Sequence, residues 1–137
     1  MTRVLLDTGP LVALLNRRDQ YHQWARSILD TVTPPVFTCE SVLSEACFLL
    51  ARVDGGPEAV LALVGADVIR VEFQIGVEIA AVRQLVRRYA SVPMSFADAC
   101  LVRMTELQLR SVVLTIDSDF KRYRRNRRHL VPVIMPR

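Results

Sequence analysis

Four carboxylates stand out in this chain: Asp7, Glu45, Asp98 and Asp117 lie at four separate points, each within an apolar stretch. An ionised carboxylate removed from water without a partner costs several kcal/mol or more, so four of them point to a shared counter-ion. Their donors are all hard oxygens, and neither His nor Cys accompanies them. That set suits Mg2+ or Mn2+ and argues against Zn2+.

Each acid also has an ordinary structural reading. Ser95 and Asp98 stand in a capping-box spacing, in which the acid closes a backbone N–H and favours the helix dipole. Glu45 has Arg52 within reach as an ion-pair partner, and Asp7 or Asp117 could simply end a strand. Taken together these readings weaken, because independent accidents would not place all four acids at crevice-facing ends of elements.

The elements that must position them follow from periodicity. Residues 3–6 form an apolar run that stops at Asp7-Thr8-Gly9-Pro10, and residues 11–15 continue as a helix with proline near its first turn. The pattern predicts helices over 19–29, 41–53, 58–64, 77–89 and 96–109, with strands over 36–38, 68–73, 111–116 and, at an edge that tolerates Pro132, 131–135. Strands alternating with longer helices imply right-handed crossovers and a mostly parallel central sheet covered on both faces, a three-layer α/β/α sandwich. In such sheets ligands bind outside the carboxyl ends of the strands. Asp7 and Asp117 fall at two of those ends, while Glu45 and Asp98 sit early in helices that can reach the same crevice.

Composition sets the frame. At 137 residues with 51% hydrophobic residues, the chain fits one domain with an ample core, and residues 1–137 are read as a single unit. No apolar run approaches the roughly 18–20 uncharged residues of a membrane span, which leads to the expectation of a cytoplasmic protein with no membrane partner. Cys39, Cys47 and Cys100 are odd in number and lack C-x-x-C spacing, so they are expected to be buried thiols rather than disulfides or zinc ligands. Phe48, Phe73 and Met104 are expected in the core. His22, alone on its helix, is expected to be structural, and His129 sits beside the basic segment.

Charge is local. Residues 121–128 carry six basic and no acidic residues, leaving 12 basic against 14 acidic elsewhere. Such a cluster is what a polyanion-binding surface looks like; a solvated helix end or arm is the alternative.

The run Val4 to Leu15 around Asp7-Thr8-Gly9, the helical Glu45, the segment Ser95-Phe96-Ala97-Asp98-Ala99, and Thr115-Ile116-Asp117-Ser118-Asp119-Phe120 together resemble a PIN domain. Within that superfamily the chain is most similar to the VapC-type ribonuclease toxins of bacterial toxin–antitoxin modules. The likeness covers essentially the whole chain, with the four motifs in the family's order. It implies a divalent-metal-dependent endoribonuclease in which Asp7, Glu45, Asp98 and Asp117 hold Mg2+ or Mn2+, and Asp119 adds support through water. Thr8 and Thr115 would orient the acids. It further implies an RNA substrate, a homodimer and a cognate antitoxin. Because an acidic pocket repels a polyanion, Lys121, Arg122, Arg124 and Arg125 are expected to hold RNA phosphates.

Other function classes fare worse. Leu5-Leu6-Asp7-Thr8-Gly9 matches the signature of aspartic proteases, but that fold is nearly all β and leaves the other three acids unexplained. A phosphoacceptor domain would need adjacent acids after the first strand and a lysine after the last, and neither is present. A PIN-like RNA- or protein-binding module without turnover keeps the fold, yet the intact acid set counts against it.

Overall fold

A computed structural model describes residues 1–137. Its central sheet has the strands β1 (Arg3–Leu6), β2 (Val36–Thr38), β3 (Ile69–Val71), β4 (Ser111–Leu114) and, after a further hairpin, β7 (Val133–Ile134). They lie in the order β3-β2-β1-β4-β7, every pair parallel. Helices α1 (Thr8–Leu15), α2 (His22–Thr31), α3 (Glu40–Leu49) and α4 (Gly56–Gly65) connect β1 through β3, and α5 (Ile75–Arg88) and α6 (Phe96–Leu107) connect β3 back to β4. Right-handed crossovers put α1 to α4 on one face and α5 and α6 on the other. The expected α/β/α sandwich with a mostly parallel sheet is therefore the fold.

Leu5, Leu6, Val113 and Leu114 are buried, as all three residues of β2 are, which is what a sheet covered on both faces demands. From β1 the chain moves one way to β2 and β3, and then returns to add β4 on the other side. The switch point between β1 and β4 opens a crevice at the carboxyl ends of these strands. None of the helices is long and apolar enough to cross a membrane.

Several local expectations need correction. The helix expected to run to residue 53 ends at Leu49, because residues 50–55 turn toward α4. The final strand shrinks to Val133–Ile134, yet it lies at the edge beside β4, as expected of a strand containing nearby proline. A short antiparallel pair, β5 (Arg124–Arg125) and β6 (His129–Leu130), was not expected, since a run of arginines carries no strand periodicity. Its turn uses left-handed backbone at Asn126 and Arg127. Phe48 is 79% exposed rather than in the core, and Cys47 is only half-buried. Phe73 packs partly buried against the core and Met104 lies within it. The Nδ1–H of His22 donates to the carbonyl of Ala13 at 2.8 Å, tying α2 to α1, a structural role as expected.

Candidate active site

Asp7 is the first residue beyond β1. Its backbone N–H donates to the Leu114 carbonyl at 3.0 Å and so continues the β1–β4 pairing, while its extended backbone makes it the N-cap of α1. The carboxylate is held at both oxygens: Thr8 N–H donates to Oδ1 at 2.8 Å and the Thr115 hydroxyl donates to Oδ2 at 2.7 Å. Thr115 in turn accepts from the Asp117 N–H at 2.9 Å. One buried hydroxyl thus joins the end of β1 to the loop that carries the fourth acid. Gly9 permits the close approach of these loops, since a Cβ there would stand 3.3 Å from Ile116 Cδ1.

Glu45 reaches the same place from α3. Its Oε2 accepts from the Thr8 hydroxyl at 3.3 Å. Asp98 lies in the first turn of α6, where the N-cap Ser95 hydroxyl accepts its backbone N–H at 3.0 Å, so the capping reading of this segment is present in the structure. The carboxylate does something else: its Oδ2 accepts a 2.7 Å hydrogen bond from the Tyr123 hydroxyl. Asp117 caps a 3-10 turn over Ser118–Lys121 by accepting from the Asp119 N–H at 2.9 Å.

Burial divides the four. Asp7 is 6% and Asp98 8% exposed, whereas Glu45 and Asp117 are exposed. The expectation of four acids in apolar surroundings therefore holds for two. Glu45 sits on the exposed face of α3, and Asp117 lies three residues beyond β4 in a surface turn. Burial pushes the Asp7 carboxyl up to about 6, against the hydrogen bonds from Thr115 and Thr8, and the charges of Asp98 and Asp117 push the same way. Asp98 is also raised, first by burial and then by Asp117 and Asp119, with the Tyr123 and Ser95 hydrogen bonds acting in the opposite direction.

No Arg, Lys or His forms an ion pair with Asp7, Glu45, Asp98 or Asp117; of the neighbouring acids, Asp119 has Arg122 at 4.0 Å. The side chains do not converge into a closed set of three or more metal ligands. An all-oxygen group with two buried, unneutralised anions nevertheless fits a hard divalent cation, because Mg2+ binds through one or two carboxylates and keeps several waters. An open groove of about 730 Å3 runs between α3 and the start of α6, lined by Ser41, Glu45, Phe48, Ser95 and Phe96; of the four acids only Glu45 borders it.

The basic segment is split by the fold. Arg124 donates from one terminal nitrogen to the carbonyls of Lys121, Arg122 and Tyr123, and Arg125 donates to those of Thr105 and Leu109 at the end of α6. The Asn126 N–H binds Glu106 at 2.6 Å. The hairpin therefore lies along α6, with its tip about 12 Å from the Asp98 level at 1.5 Å per residue. Lys121 and Arg122 are exposed and closer in sequence to Asp117. Sequence reasoning passed over Tyr123, which is fully buried. The only signal was a tyrosine within an otherwise cationic run.

The PIN domain family model matches residues 4–126. Among solved structures, the fold is similar to that of VapC20 from Mycobacterium tuberculosis, a sarcin–ricin loop cleaving toxin. The two share 28% identity with a TM-score of 0.69, over 85% of this chain and 91% of that one. It is also similar to VapBC2 of Rickettsia felis bound to a promoter DNA fragment, with 12% identity and a TM-score of 0.64, and to DNA-bound VapBC of Salmonella typhimurium, with 17% and 0.58. Each of the latter two is covered to 98%, as is this chain, and at those identities the likeness concerns the fold. No curated protein matches the chain.

Proposed function

The chain belongs to the PIN domain family, and from that membership we propose that it is a Mg2+- or Mn2+-dependent endoribonuclease, the toxin of a toxin–antitoxin pair. The observation that carries this reading is the pair of buried carboxylates, Asp7 just beyond β1 and Asp98 in the first turn of α6, with no protein cation to neutralise them.

When bound, a divalent ion supplies Lewis-acid activation of a water and neutralises charge that builds on the scissile phosphate. The protein's own residues do the rest. Asp7 and Asp98 present oxygens whose direction is set by Thr115, the Thr8 N–H and Tyr123. Glu45 and Asp117 each have one oxygen engaged, by the Thr8 hydroxyl and the Asp119 N–H, and would offer the other to the ion or to the proton of the attacking water. Asp119 supports them through water. The water oxygen bonds to phosphorus as one P–O bond to the leaving nucleotide breaks. Lys121 and Arg122 hold the phosphates nearest the acids; Arg124 and Arg125, each with one guanidinium nitrogen committed to backbone carbonyls, offer only their remaining donors.

The VapC20 likeness supports RNA as substrate, and the two VapBC structures support a protein antitoxin as partner. A homodimer and a cytoplasmic location complete the reading. The decisive experiment incubates purified protein with structured and single-stranded RNAs, with Mg2+ or Mn2+ and with excess chelator. Metal-dependent fragments from the parent and none from Asp7→Asn are expected. Cleavage that persists in chelator would falsify the metal mechanism, and RNA binding without any cleavage would favour the non-catalytic module. Light scattering of the pure protein tests for the dimer.

A further inference from the structure

We propose that Tyr123 is a positioning residue for Asp98, fixing the plane in which its carboxylate faces the crevice; this rests on the reading of the acids as a metal-dependent site. Its side chain is completely buried and its hydroxyl donates to Asp98 Oδ2 at 2.7 Å. A carboxylate on a helix's first turn can rotate about its last torsion, which is broad and leaves the plane of the group undefined. A short bond from a rigid donor to one oxygen fixes that plane and so sets the direction in which the other oxygen is presented to an ion.

The donor is rigid for visible reasons. The Tyr123 ring meets Phe120 and Tyr89 edge to face, each with centroids 5.2 Å apart. The Tyr89 hydroxyl accepts the N–H of Arg124, the residue that follows Tyr123, at 2.8 Å, so the backbone beside the phenol is pinned as well. As a plain core residue, phenylalanine would pack equally well among these rings. The hydroxyl matters because its acceptor is a buried acid of the site.

Mn2+ titrated into the protein alone, followed by electron paramagnetic resonance of the free ion, gives the test. Tyr123→Phe should weaken Mn2+ binding about 10-fold or more, the range seen when such supporting partners of metal ligands are removed. With RNA its kcat should fall while KM for RNA stays put. Tyr89→Phe, which keeps the ring against Tyr123 and the bond to Asp98 and loosens only the backbone at Arg124, should cost clearly less than Tyr123→Phe. A Tyr123→Phe affinity equal to the parent's, or an equal loss in Tyr89→Phe, overturns the proposal. A second measurement needs no altered core. In protein carrying 3-fluorotyrosine at its three tyrosines, Mg2+ should shift the Tyr123 resonance in step with saturation, and a Tyr123 line unmoved at saturation overturns the proposal. If parent and Asp98→Asn bind Mn2+ alike, the metal site itself is wrong; if only Tyr123→Phe is silent, the site stands and this role for Tyr123 falls.

Discussion

The crevice holds two kinds of acid. Asp7 and Asp98 are buried, and each is oriented by a neutral hydroxyl at 2.7 Å, whereas Glu45 and Asp117 are exposed, Glu45 held only by a 3.3 Å bond from Thr8 and Asp117 by the Asp119 N–H of its own turn. The difference teaches how one site can be both pre-organised and adaptable. The buried pair is held where its charge is unfavourable, so it is ready for a cation before one arrives. The exposed pair carries little such penalty and, in the proposed mechanism, would follow the ion, the water or the substrate. The basic segment repeats the pattern in cations: Arg124 and Arg125 are partly spent on backbone carbonyls, while Lys121 and Arg122 are exposed, Arg122 in a loose 4.0 Å pair with Asp119.

The largest expected effect contrasts the acids directly. Asp7→Asn or Asp98→Asn should lower the RNA cleavage rate about a thousandfold or more, the equivalent of losing roughly 4 kcal/mol of metal-assisted charge stabilisation. Glu45→Gln should cost only about 10- to 100-fold, the scale of a supporting group. Initial rates at saturating Mg2+ decide it, and equal losses at Asp7 and Glu45 would erase the functional division between buried and exposed acids.

Stability should move in the opposite sense. Asp7 has its folded carboxyl raised from 3.8 to about 6, so the folded state binds the proton more tightly than the unfolded one. Below about pH 4 both states are protonated and no penalty exists; between about 4 and 6 the metal-free protein loses stability as pH rises, and above 6 the whole penalty is present. Asp7→Asn should therefore stabilise the metal-free protein at pH 7.5 by about 1–3 kcal/mol, less whatever the altered bond to Thr115 costs, while Asp117→Asn should change it by under about 0.5 kcal/mol. Chemical denaturation in chelator measures both. A destabilised Asp7→Asn would show that its hydrogen bonds outweigh its desolvation.

The same titration predicts that Mn2+ affinity falls as pH drops through about 6, because protons compete for Asp7. Calorimetric titrations between pH 5 and 8 would show it, and a flat profile would remove Asp7 from the ligand set.

The smallest effect belongs to the cations. Replacing Lys121 and Arg122 together by Gln should weaken RNA binding severalfold and flatten the log-affinity against log-salt slope by roughly 1.4, about 0.7 per single-strand phosphate contact. Arg125→Ala should leave most of that slope and instead lower stability by about 1 kcal/mol, since carbonyls at the end of α6 lose their donor. Equal slope changes in both variants would mean that the held arginines bind phosphate as much as the exposed cations.

Much of this was legible in the residues. The apolar runs before Asp7 and Asp117 could only be strands of a doubly covered sheet, and the turn chemistry after Asp7 marked where the first ended. Chain order and handed crossovers place strand ends and helix starts together, which is how Asp7 beyond β1 meets Thr115 beyond β4 and Glu45 on α3 meets Thr8. What misled was local context. Phe48 lies among apolar residues in sequence, yet a helix has an outer face, and only packing decides which residues occupy it. The arginine run masked a hairpin because its strands are held by α6 rather than by their own pattern.

Types and order of groups were settled by sequence: four oxygen-donor acids without His or Cys, a parallel α/β sheet to present them, and a cationic stretch to offset them. Tertiary structure alone decided which acids would be buried, which hydroxyls would hold them, and which arginines would be tied to backbone carbonyls. Those outcomes depend on contacts between residues far apart in the chain, as Thr115 with Asp7 and Tyr123 with Asp98 illustrate. Residue type and spacing specify the groups available for such contacts, but only the packed layers bring a particular donor to a particular carboxylate.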